Sequence, residues 1–148
     1  MRARIISWLC AGISVALAAG CGSSKDDNPL GRWAGVYLLA ETFFSQEGTG
    51  CAGDPAGYEG AVEVEIDGNK LNASFERWSE LKGEVRENGS VIASGSLGAG
   101  ESVNLSGSFA GEGGQEGQAS FDGNLRHTRS GCTRIYTVQG PRQTPVGD

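Results

Sequence analysis

The strongest constraint on the fold is a phase match across two short turns. Ala61 to Asp67 places Val62, Val64 and Ile66 on one side and Glu63 and Glu65 on the other; after Gly68-Asn69 the apolar positions resume at Leu71, Ala73 and Phe75. Side chains alternate faces along a strand. A two-residue turn at Gly68-Asn69 therefore sets Ile66 opposite Leu71, Val64 opposite Ala73 and Val62 opposite Phe75, with all six on one face. A slip of one residue would turn the whole set towards water. Leu81, Gly83 and Val85 repeat the arrangement before Glu87-Asn88-Gly89, and Val91, Ala93, Gly95 and Leu97 follow it. Here a three-residue loop with Gly89 in the left-handed conformation pairs Val85 with Val91 and Gly83 with Ala93.

The period of two continues to the end of the chain. Ser102 to Ala110 offers Val103, Leu105, Gly107 and Phe109; Gly111 to Gly117 is a loose connection; Ala119, Phe121, Gly123 and Leu125 follow. The last strand, Cys132 to Gln139, aligns Cys132, Arg134, Tyr136 and Val138. At the front, Trp33, Tyr37 and Leu39 share one face, and Val36 and Leu38 share the other. A helix over Trp33 to Phe44 is disfavoured by Gly31 and Gly35. Ser45 to Gly60, with five glycines and Pro55, reads as a long loop. These segments predict an all-β chain of about eight antiparallel strands with hairpin-length links. Such a meander closes into a small up-and-down β-barrel, which removes exposed edges; a two-sheet sandwich is the alternative. The strand glycines Gly83, Gly95, Gly107 and Gly123 favour the barrel, because small barrels need tight bends.

Upstream of this domain the chain has a different character. Arg2 and Arg4 precede an apolar run from Ile5 to Ala19, interrupted by Ser7, Gly12 and Ser14 and too short to span a membrane. It has the layout of a secretory signal peptide. Leu17-Ala18-Ala19-Gly20-Cys21 resembles the lipobox of bacterial lipoproteins, with Ala18 where leucine is commoner. The resemblance implies cleavage after residue 20, lipid on Cys21 and a membrane partner reached through that lipid. Gly22 after the cysteine, by resemblance to Gram-negative lipoprotein sorting, implies the outer membrane. The expected organisation is a signal peptide over 1–20, a lipidated polar tether over 21–29, a β-barrel over 30–140 and a frayed tail over 141–148.

Charge and cysteine count narrow the function. The chain carries a formal charge of −6. Removal of residues 1–20 takes away two arginines and no acidic group, leaving −8. An acidic domain lacks the basic footprint that nucleic acid requires. Cys10 leaves with the signal and Cys21 carries lipid, so Cys51 and Cys132 remain as an even pair outside the cytoplasm, where a disulfide is the default. No metal site or cofactor is predicted: His127, the one histidine, has no partner at a zinc-like spacing.

No enzyme is predicted either. Glu63 and Glu65 point to water, no Gly-x-Ser-x-Gly elbow occurs, and His127 reads as lying in a polar loop. The glycine-rich Gly111 to Gly117 lacks the Lys-Ser/Thr ending of a phosphate loop. Gly31-Arg32-Trp33 at the first strand, with Arg134 in the last, resembles the lipocalin and avidin superfamily, in which a Gly-x-Trp packs against a final-strand arginine and closes one barrel end. The resemblance implies a barrel-closing role for Trp33 and Arg134 and a small-molecule pocket inside. Trp33, Tyr37, Phe75, Arg77, Arg134 and Tyr136 lie on faces that could converge on such a pocket. Two expectations follow: a non-catalytic module binding a small apolar or amphipathic ligand, or an interaction or inhibitor lipoprotein that meets an envelope protein through its loops, Phe44 to Gly60 and Gly111 to Gly117.

Overall fold

The computed structural model describes residues 28–53, 55–111 and 119–143. The expected signal peptide, the lipobox-like stretch and most of the expected tether lie outside them, as do residues 112–118 of the glycine-rich connection. A single turn of 3-10 helix, Gly31–Trp33, leads into eight strands: β1 (Gly35–Gly48), β2 (Tyr58–Asp67), β3 (Lys70–Phe75), β4 (Ser79–Val85), β5 (Ser90–Gly98), β6 (Glu101–Ala110), β7 (Ser120–Arg129) and β8 (Cys132–Pro141). Each pairs antiparallel with the next and β8 returns to β1, giving a closed up-and-down barrel.

The register follows the apolar phase. Val62 faces Phe75, Val64 faces Ala73 and Ile66 faces Leu71 across the first hairpin, and Val85 faces Val91 with Gly83 opposite Ala93 across the second. Gly89 has φ +85°, and the Gly89 amide donates to the Arg86 carbonyl at 2.8 Å. Glycine is needed again where β6 meets β7, since Gly107 and Gly123 are direct partners. A Cβ on Gly107 would come within 2.6 Å of Phe121 Cζ and 2.8 Å of Gly123 Cα. The Phe121 ring lies over the paired glycines and covers backbone that lacks side chains of its own, as aromatic rings do beside strand glycines.

Three expectations change. Strand β1 runs on to Gly48 and β2 starts at Tyr58, so the connection spans 49–57 and not Ser45 to Gly60. A bulge hid this extension: Phe43 pairs with Tyr136 and Ser45 with Ile135, which makes Phe44 an extra residue that breaks the alternation. Phe44 is 70% exposed. His127 is no loop residue; it lies on β7 opposite Arg134 and Val103, buried. The start of the expected tail is paired, since Arg142 bridges to Tyr37 and the Gln143 amide donates to the Val36 carbonyl at 2.7 Å; the rest of it, 144–148, lies outside the described residues.

The barrel is filled. Val62, Val64, Leu71, Ala73, Leu81, Val91, Val103, Leu105, Leu125 and Val138 are all buried inside it. The internal cavity lined by Tyr37, Leu39, Phe75, Phe109 and Phe121 has a volume of about 10 Å³, roughly the space for one water. An eight-stranded barrel is just wide enough for side chains to fill. The two ends differ. The end bearing the 3-10 turn, here the closed end, is sealed by Leu30 and Trp33; Trp33 stacks on Phe109 at 5.9 Å between centroids. The chain enters and leaves at this end. The other end, here the distal end, carries the 49–57 connection, the Glu76–Trp78 turn and the hairpins at Ala99-Gly100 and Ser130-Gly131.

Candidate functional site at the distal end

Charged and aromatic side chains gather inside the distal end, where the apolar filling stops. Glu41 continues the inward phase of Tyr37 and Leu39 and is only 3% exposed. Its carboxylate accepts the Trp78 Nε1–H at 2.8 Å and stands 3.5 Å from a guanidinium nitrogen of Arg77. The Glu76–Trp78 turn swings Trp78 into the mouth, where its ring meets His127 at 4.7 Å and Tyr136 at 6.0 Å between centroids. Arg77 covers Trp78 at 4.5 Å and Tyr136 at 5.5 Å. Behind Trp78, His127 Nε2 and Glu101 Oε1 are 2.7 Å apart. The Tyr136 hydroxyl is buried with no hydrogen-bond partner among the described residues.

Burial raises the pKa of Glu41 above the ordinary glutamate value, while the Trp78 hydrogen bond and the Arg77 charge partly oppose the rise. For an acid whose native pKa exceeds its unfolded one, the native state binds the proton more readily, so the stability this group contributes declines as pH rises between the two values. Glu41→Gln removes the buried charge and keeps an oxygen for Trp78 to donate to. The expected result is a flatter stability-against-pH curve across that window and no loss of stability at neutral pH, read by urea denaturation at a series of pH values.

A cleft of about 250 Å³ opens beside this cluster, lined by Gly50, His127, Arg129, Ser130, Cys132 and Arg134. Cys132, bridged to Cys51, is one of these lining residues. Arg134 donates to the Ala52 carbonyl at 2.9 Å, and its Nε is buried with no partner among the described residues. Two larger, shallow hollows lie on the outer wall, around Lys70 and Lys82 and around Leu38 and Gln139. Among the described residues no group of three metal-ligating side chains could hold a metal ion.

The six residues predicted to converge separate into three places. Arg77 and Tyr136 meet at the distal end, and Arg134 lies near them. Phe75 is part of the filled interior. Trp33 and Tyr37 belong to the closed end; the Tyr37 hydroxyl donates to the Trp33 carbonyl at 2.8 Å, and burial pushes its pKa up to about 12 against the pull of Arg142. The Trp33–Arg134 pairing does not form, because Arg134 sits opposite Gln46 and His127, a barrel length away from the 3-10 turn. Arg142 takes that position, donating to the carbonyls of Arg32 at 2.8 Å and Ala34 at 3.4 Å. Sequence reasoning missed Glu41, Trp78, His127, Glu101 and Arg129. Glu41 and His127 were within reach, since each continues the inward phase of its strand by one step.

Comparison with protein-family models, with curated proteins and with solved structures finds no match for this chain.

Proposed function

We propose that this protein is a non-catalytic binding module, held at the outer membrane of a bacterial envelope by lipid on Cys21, that meets an envelope protein through the distal end of its barrel. The observation that carries the reading is the contrast between the two compartments: an interior with a cavity of about 10 Å³ and a distal end with buried charge and an adjacent 250 Å³ cleft. A filled barrel is a scaffold, and binding residues concentrate on the loops a scaffold positions. Orientation supports the same reading. Asn28 begins the described domain at the closed end, and the seven residues from Gly22 to Asn28 reach at most ~25 Å by chain length. Lipid on Cys21 therefore turns the closed end to the bilayer and the distal end away from it. Of the two loops expected to act together, only 49–57 is distal; Gly111 and Ala119, which flank the other, are at the closed end.

A photo-crosslinking residue at Thr49 on the distal end should capture a defined partner in whole cells, and one at Glu65 on the outer wall should not. Equal capture from both positions, or a small molecule recovered by extraction from the barrel interior, would count against the distal-end reading. Cys21→Ser should move the protein from the membrane to the soluble fraction. Absence of labelled fatty acid on the unaltered protein would remove the anchor from the account.

A further inference from the structure

We infer that the distal cleft is a carboxylate-binding site, with Arg134 and Arg129 as the two guanidinium partners. The inference rests on the distal-end reading and specifies its ligand chemistry. In a chain of net charge −6, the cleft lining among the described residues contains two arginines and a histidine and no acidic residue. Glu101, the acid beside it, is engaged from behind by His127 at 2.7 Å and lies 4.0 Å from Arg129 Nε. Arg129 is 70% exposed along its side chain, and its contact with Glu101 is long. Arg134 is positioned differently: one terminal nitrogen is fixed on the Ala52 carbonyl, and its buried Nε–H has no acceptor among the described residues. A guanidinium held in place with a donor unspent suits planar, two-point recognition of a carboxylate.

Charge decides between carboxylate and phosphate. Among the described residues two guanidinium groups face one nearby carboxylate, Glu101, which leaves a surplus of one positive charge, matched by a monoanion and exceeded by a doubly charged phosphate. Size limits the rest of the ligand. The volume of about 250 Å³ is below that of a typical drug-sized pocket, so the site takes a small carboxylic acid or the last residues of a polypeptide bearing a free terminal carboxylate.

The test is an NMR titration of the isotope-labelled intact chain in neutral detergent. The probes are sodium acetate, a tripeptide with a free C-terminus, the same tripeptide amidated, and inorganic phosphate. Acetate and the free tripeptide should shift the Arg129 and Arg134 Nε–H signals and the His127 ring, and the amide should not. Arg129→Gln, an exposed change that leaves the fold alone, and Arg134→Gln should each weaken binding by about tenfold or more, with Arg134→Lys intermediate because it keeps charge without the fork. A tripeptide binding far more tightly than acetate assigns the site to a chain terminus, and equal affinities assign it to a free acid; both outcomes uphold it. Binding of the amide as well as the free acid, tighter binding of phosphate, or no movement of these signals overturns it. The two readings fail separately. Crosslinking from Thr49 that persists in the Arg129→Gln, Arg134→Gln double variant overturns the carboxylate site and leaves the distal-end reading standing.

Discussion

Cys132→Ser, or reduction of the native protein, is expected to lower stability by up to ~4.5 kcal/mol in the chain-entropy model, with measured losses for native bridges commonly ~2–5 kcal/mol. The bridge joins residues 81 apart, so its loss frees a large part of the unfolded chain. The native state loses too. Cys132 is the first residue of β8, paired with Gly48 at the end of β1, and the bridge fixes the 49–57 connection against that seam. Without it, the Arg134–Ala52 hydrogen bond is the next tie across the cleft. Urea denaturation with and without reductant measures the effect, and an unchanged midpoint on reduction would mean that the connection's own contacts hold it. Cys51→Ser should match Cys132→Ser closely, because the two remove one and the same restraint.

The second large effect is expected at Trp78. Trp78→Ala should cost ~3–5 kcal/mol, the range for truncating a buried aromatic residue. Trp78 is 3% exposed, so its removal leaves a void between Arg77, His127 and Tyr136. It also takes from Glu41 the nearest of its two partners, leaving a buried carboxylate with Arg77 at 3.5 Å. Trp78→Phe separates the two contributions. It keeps an aromatic ring in the mouth and deletes the N–H, so the loss should fall to ~1.5–3 kcal/mol, the value of a hydrogen bond to a charged group. Because the Trp78 bond holds the Glu41 pKa down, the same variant should raise it further. The decline in stability with rising pH then extends to higher pH than in the native protein. Equal losses for Ala and Phe would place the whole effect in the hydrogen bond and none in packing.

What the sequence disclosed, and what it hid, follows from the range of the interactions. Hairpin register is local: the Gly68-Asn69 turn and the phases of Val62 and Phe75 lie within fourteen residues of one another, and the chain can be read directly there. Barrel closure was legible by elimination, since a meander with one apolar face leaves two edges that need each other. Residues at the distal end were harder. Glu41 and His127 sit in phase with apolar neighbours, but a charged residue at the end of an apolar run reads as the point where the strand emerges into water. They stay buried only because Trp78 comes in over them, from a turn whose direction no periodicity encodes. Arg134 and Arg142 show the same limit at the other scale. Both are arginines of the last segment, eight residues apart, and only the β1–β8 register decides which of them reaches the Trp33 turn.

The seam between β1 and β8 has a consequence in time. The first of the barrel's eight strands to be synthesised is also the last to be completed, because its second partner is Cys132–Pro141. Pairing across so much sequence is slow to form. Until β8 arrives, β1 and β7 are open edges that match a missing strand and, equally, the β8 of another copy. A chain stopped before Cys132 is thus built for strand exchange with its neighbours, and its seven strands have no way to close on themselves.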